Sequence, residues 1–159
     1  MHKTPNKQFR KQATGPFFWL FLLRKLPLAF IAGVKLDRID NEGSQTRLKF
    51  GWINQNPFKS MYFAAMQMAA ELASGTLLFQ YFDKETRFSM LLVSVEANYD
   101  KKAIGTIKYE CNEGENVNQY INSMLLNPEG ENIKIPVVAK NADGEVVADF
   151  VFNWSCRKK

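Results

Sequence analysis

The spacing of apolar and polar residues changes along the chain, and the changes mark its elements. Residues 16–33 (PFFWLFLLRKLPLAFIAG) are apolar almost throughout, broken by Arg24-Lys25 and Pro27. This predicts two short helical pieces meeting at Leu26-Pro27, with their aromatic face buried. The basic start followed by FFWLFLL resembles a signal peptide, but the run is short and charge interrupts it, so it is expected to be retained. A membrane span would need ~20 uninterrupted apolar residues. Residues 34–39 form a strand candidate and Asn41-Glu42-Gly43 a turn. Residues 46–54 (TRLKFGWIN) place Leu48, Phe50 and Trp52 on one side and Arg47, Lys49 and Gly51 on the other. That alternation predicts a strand with one buried face, paired with the first as a hairpin. Further strands are expected at residues 88–97, 105–112, 132–140 and 145–156. The last two are joined by a turn at Asn141-Ala142-Asp143-Gly144, with Asp-Gly as its signal. Residues 117–126 read as a short helix, capped by Asn116 and ended by Asn127-Pro128. Residues 77–82 fit either a strand or a helix tail.

The chain is organised around residues 56–75, NPFKSMYFAAMQMAAELASG. Asn56 has N-cap chemistry, Pro57 suits the first helical position, and Gly75 is a natural stop. One long helix, apolar almost all round, is therefore expected to be buried. Its polar exceptions, Asn56, Ser60, Gln67, Glu71 and Ser74, fall in a stripe roughly 60° wide at ~100° per residue. Two readings stay open. They are satisfied core groups plus a carboxylate at a helix or dimer contact, or they are a catalytic wall with donors at the helix start. With the strands around it, the helix makes an α+β design, an antiparallel sheet wrapped around one central helix.

Composition and charge narrow the picture. The 159 residues suit one domain with a real core. Residues 1–15 read as a basic flexible tail and residues 16–159 as the single domain. The net charge of +5 is unevenly spread. Residues 1–36 hold seven Lys/Arg and no acid, while residues 37–156 hold eleven basic and all sixteen acidic residues. That distribution argues against a basic nucleic-acid groove across the domain. The basic end reads as a solvated tail, with weak contact to a membrane surface as the alternative. His2 is the only histidine, which excludes a Ser-His-Asp or Cys-His nucleophile within the chain and disfavours a zinc site. Cys111 and Cys156 form no metal motif and read as reduced thiols of a cytoplasmic protein.

Three segments carry a family resemblance: FGWINQNPFKSMYFAAMQMAAELASG, VEANYDKKAIGTIKYEC and VVAKNADGEVVADFVF. Over about residues 27–156 the chain resembles the hot-dog fold of acyl-CoA thioesterases. It is most similar to an uncharacterised thioesterase-like subfamily, a domain of unknown function. The resemblance implies a homodimer or a dimer of dimers, an acyl thioester substrate on CoA or a carrier protein, and no cofactor beyond the substrate's own CoA. The family places a His-Gly-Gly-like turn at the start of the buried helix, where a backbone N–H polarises the thioester carbonyl. Phe58, Lys59 and Ser60 match that turn, so the histidine and both glycines are missing. The family's acid lies about two turns into the helix. Gln67 matches that position, with Glu71 one turn later.

On this basis Glu71 is the expected general base and Gln67 the water-orienting group, with Ser60 and Asn56 at the helix start. The acyl chain is expected along Met61, Met66 and Met68. Asn54, Lys59, Tyr62, Phe63, Lys101 and Lys102 are the expected substrate contacts, the lysines meeting the CoA phosphates. The alternative is a non-catalytic hot-dog protein that binds an acyl or lipid ligand. A dehydratase ranks behind both, because that chemistry in the family uses a histidine.

Overall fold

The structure, a computed structural model, describes residues 2–84, 86–127 and 129–159. Three helices precede the sheet: α1 (Lys7–Ala13), α2 (Phe18–Lys25) and α3 (Pro27–Ala32). The strands β1 (Lys35–Ile39) and β2 (Ser44–Lys49) lead to the central helix α4 (Phe63–Phe79). Then follow β3 (Phe88–Tyr99), β4 (Thr106–Cys111), α5 (Gly114–Met124), β5 (Glu131–Lys140) and β6 (Val146–Lys158). The six strands form one sheet in the order β1-β2-β4-β5-β6-β3, every pair antiparallel. No helix among the described residues is long and apolar enough to cross a membrane.

α4 fills the concave face of the sheet, as its apolar composition demands. Ala69, Ala70, Ala73, Leu77 and Leu78 are fully buried against Leu48, Ile107, Tyr109, Ile135, Phe150 and Phe152. The alanines bring helix backbone close enough for strand hydroxyls to reach it. Ser44 Oγ donates to the carbonyl of Ala73 at 2.6 Å, and Thr46 Oγ1 to that of Ala69 at 2.7 Å. Each hydroxyl is buried and satisfied, so the pair fixes the position of the helix on β2 without a desolvation penalty.

The helix begins six residues later than cap chemistry predicts, with Tyr62 and Phe63 as N-cap and first residue rather than Asn56 and Pro57. Asn56 Oδ1 does accept backbone N–H groups, from Phe58 at 2.9 Å and Ser60 at 3.3 Å, but these bonds close a local turn. Lys59 then adopts φ 57°, a left-handed conformation that stops a right-handed helix. Tertiary bonds hold the rest: Met61 N–H donates to Ala103 O at 2.9 Å and Tyr62 N–H to Asn54 O at 2.8 Å. The helix also runs past Gly75, which is no stop. A Cβ there would meet the Trp154 ring at 3.6 Å, an ordinary van der Waals contact, so the packing does not demand glycine. Residues 77–82 accordingly supply the last turn of α4 and its exit.

Other boundaries shift for similar reasons. The second strand ends at Lys49, and Trp52–Asn54 form a 3₁₀ turn with Trp52 exposed. Of the expected trio Leu48, Phe50 and Trp52, only Leu48 is fully in the core. α5 starts at Gly114 after Glu113, so Asn116 lies inside it. Pro128, read as its terminator, lies outside the described residues. The two helical pieces do meet at Leu26-Pro27, Pro27 taking the first position of α3 and Gly33 its left-handed end at φ 86°.

The polar segment read as a tail carries α1. Asn6 caps it, accepting from Gln8 N–H at 2.9 Å and Phe9 N–H at 3.1 Å. Arg10 ties it down, with Nε on Gln80 Oε1 at 2.7 Å and Nη2 on Asp40 O at 2.9 Å. Ala13 is buried and Phe9 packs at a tilt against Phe79 with ring centres 5.4 Å apart.

Candidate functional site

Starting at Phe63, α4 has a first turn that no side chain caps. The backbone N–H groups of Phe63, Ala64 and Ala65 point out of the helix end, where the macrodipole is positive. They are the groups able to receive a developing oxyanion. The N–H groups of Lys59 and Ser60, expected to play that part, are already taken by Asn56 O and Asn56 Oδ1. Asn56 and Ser60 also bond each other, Nδ2 to Oγ at 3.0 Å, and Ser60 is buried. Asn54 is spent likewise, its Nδ2 on Lys49 O and Ala32 O and its Oδ1 accepting from Gly51 N–H. These three residues shape the loop that presents the helix start.

The later start also changes how deep the stripe residues lie in the helix. Counted from Phe63, the residue two turns in is Glu71, eight positions on; Gln67 lies one turn in. Glu71 Cα is about 12 Å down the axis at 1.5 Å per residue, and side chains on a helix lean back toward its N-terminus, which narrows the gap. Gln67 lies between on the same face. Ser74, the last member of the polar stripe, is structural: its hydroxyl donates to Glu71 O and accepts from Trp154 Nε1, both at 3.0 Å.

Glu71 is half-buried, and no donor among the described residues reaches its carboxylate. It lines an apolar groove of about 440 Å³, a size typical of small-ligand sites. The groove's walls are Phe21, Leu26, Leu72, Phe79, Met90 and Trp154, with Lys25 at its edge but in no ion pair with Glu71. A second hollow of about 310 Å³ touches Glu71 from the α3 side, past Met68, Leu28 and Ala29. Burial among these side chains raises the Glu71 pKa, because the charged form loses hydration without gaining a partner. Met61 and Met66 are fully buried core residues and meet neither hollow; Met68 alone of the three lines one.

The groove itself was not legible in the sequence. One wall of it comes from α1, α2 and the residue that follows α2, through Phe9, Phe21, Lys25 and Leu26. The available signal was the aromatic run at residues 17–21, read as a cover rather than a wall.

Around the helix start the surface is apolar and open. Phe63 packs at a tilt against Tyr99, with ring centres 4.3 Å apart, and Tyr99 Oη donates to Phe63 O at 3.4 Å. Tyr62, Phe58, Trp52 and Ile104 are exposed. Lys102 Nζ reaches Phe58 O at 3.5 Å, and Lys59 is exposed beside it. Lys101 points elsewhere, paired with Glu145 at 2.9 Å.

Other chemistry is poorly served. Among the described residues no three His, Cys, Asp or Glu side chains gather as a metal site. Cys111 and Cys156 are free and buried; burial pushes the Cys111 thiol up to about 12 and raises Cys156 as well, so neither is a ready thiolate.

No curated protein matches the chain. Solved structures do, and what they share with it is the fold. A Pseudomonas aeruginosa protein of unknown function, described as a probable thioesterase, is 21% identical, with both chains covered in full and a TM-score of 0.73. A Chlorobaculum tepidum protein of unknown function is 13% identical over 99% of each chain, with a TM-score of 0.79. A Haemophilus influenzae thioesterase is 8% identical over 87% of this chain and 88% of its own, with a TM-score of 0.67. The sheet wrapped around α4 is thus the hot-dog fold of thioesterases. The sequence profile of a domain of unknown function, DUF4442, matches residues 16–156, and the chain belongs to that family.

Proposed function

We propose that the chain hydrolyses acyl thioesters by direct attack of water. What carries the reading is Glu71: an unpartnered carboxylate in an apolar groove, two turns below an uncapped helix start. The thioester carbonyl sits at that start, where the N–H groups of Phe63 and Ala64 stabilise its oxyanion. Gln67 orients the water. Glu71 takes a proton from it as its oxygen bonds to the carbonyl carbon. When the C–S bond breaks, the thiol leaves with that proton and the acid is released. A raised pKa suits Glu71 to this task near neutral pH. The acyl group lies among Phe21, Leu26, Met90 and Trp154. The CoA or carrier-protein arm leaves over Tyr62, its phosphates near Lys59 and Lys102.

The protein acts as a homodimer or a dimer of dimers in the cytoplasm. β3 supports the first statement: it bonds to β6 on one side only and exposes Leu91 and Val93, an edge that a second copy would cover. Two free buried thiols suit the second.

The second reading, a non-catalytic acyl-binding protein, is favoured by the missing His-Gly-Gly-like turn. A panel of short, medium, long and aromatic acyl-CoA thioesters separates the two. Release of thiol from any of them, catalytic in protein, supports hydrolysis. Saturable binding of an acyl-CoA without turnover across the panel would establish the binder.

A further inference from the structure

We propose that α2 and α3 dock the protein on an anionic membrane surface. α2 buries Leu22 and half-buries Phe18 and Phe21, while Trp19, Leu20 and Leu23 face outward on its other side. α3 adds Leu28, 67% exposed, and Ile31, 56% exposed. Trp19 and Phe30 bridge the two helices with ring centres 6.2 Å apart. A surface helix with tryptophan and leucine on its outer face has no reason to be apolar there unless something covers it.

Charge identifies the occupant. Lys11, Arg24, Lys25 and Lys35 are exposed around this patch, and none is in an ion pair among the described residues. Residues 1–36 contain no acid, whereas residues 37–156 carry sixteen acidic against eleven basic residues. An anionic surface attracts this end and repels the body, which orients the molecule. A second copy docked here through a two-fold axis would bring like charges together. Apolar insertion combined with flanking cations is the pattern of interfacial helices.

The position also connects to the groove. A hollow of about 1050 Å³ between α1 and α2, rimmed by Lys11, Arg24 and Lys25, shares Phe9, Phe21 and Phe79 with the groove that holds Glu71. If the proposed hydrolysis holds, an acyl chain has an apolar path from the bilayer toward Glu71; docking itself does not depend on that reading.

The test is flotation of the full chain with vesicles of phosphatidylcholine, with and without phosphatidylglycerol. Binding is expected only with the anionic lipid. Lys11→Glu with Arg24→Glu should weaken it at least 25-fold, at about fivefold per charge. Trp19→Ser, and Leu23→Ser as a second apolar variant, should each weaken it about tenfold or more, with melting checked for every variant. Binding equal on both lipids, no binding, or binding unchanged by these substitutions would overturn the proposal. So would an oligomer that dissociates on Leu23→Ser while vesicles leave the wild type untouched, which assigns the patch to a protein contact.

Discussion

Replacing Gly75 with alanine tests the packing and the groove together. Gly75 lies within α4 and its φ is not positive. A Cβ there meets Trp154 Cζ2 at 3.6 Å and Cη2 at 3.8 Å, ordinary van der Waals contact, and nothing else within 4 Å. The helix then gains the difference between alanine and glycine in its interior, about 1 kcal/mol. For a chain of this size that raises Tm by about 2–4 °C. The methyl also enters the groove beside Glu71. One methylene in an apolar pocket is worth about 1–3 kcal/mol, so the longest accepted acyl group should lose tenfold or more in kcat/KM relative to the shortest. Calorimetry and an acyl-length series measure the two effects separately. A fall in Tm would refute the geometry around Trp154. A rise in Tm with an unchanged acyl profile would show that the groove does not hold the acyl group.

Glu71→Gln should raise Tm at neutral pH. The folded state raises the Glu71 pKa through burial, so this group costs stability as pH rises through its folded value and costs nothing below its unfolded one. The gain should therefore vanish in acid, and a pH-independent gain would deny that ionisation is its cause. Light scattering should return a dimer or larger, reduced by Leu91→Lys on the β3 edge; a stable monomer of 18.3 kDa would contradict the assembly. Thiol reagents should leave Cys111 and Cys156 unmodified in the folded protein, and fast labelling of either would contradict their burial.

Much of this fold is written in local patterns. The alternation around β4 and the Asp143-Gly144 turn between β5 and β6 need only near neighbours, and both appear where expected. The start of α4 does not. Asn56 and Pro57 have the right cap chemistry, but Lys59 turns left-handed and Met61 is held by Ala103, a partner that no local window contains. Gly75 misleads as well, since the helix runs through it to Phe79, held by the packing of Leu77 and Leu78. Glu71 stood out as the acid of an apolar helix. Its distance from the helix start, and the groove built by Phe9, Phe21 and Leu26, needed the structure. The outward face of α2 was visible as an apolar run, but only packing distinguishes its buried side from its exposed one.

The central claim is that Glu71 is the base for thioester hydrolysis, and its most direct test is turnover by folded Glu71→Gln against wild type. Both are assayed on the best acyl-CoA of the panel across neutral pH. The account predicts a loss of about 10²–10⁴ in kcat, and a wild-type rate that falls as acid protonates the carboxylate. Equal turnover by the two proteins would contradict it and leave Glu71 a structural carboxylate.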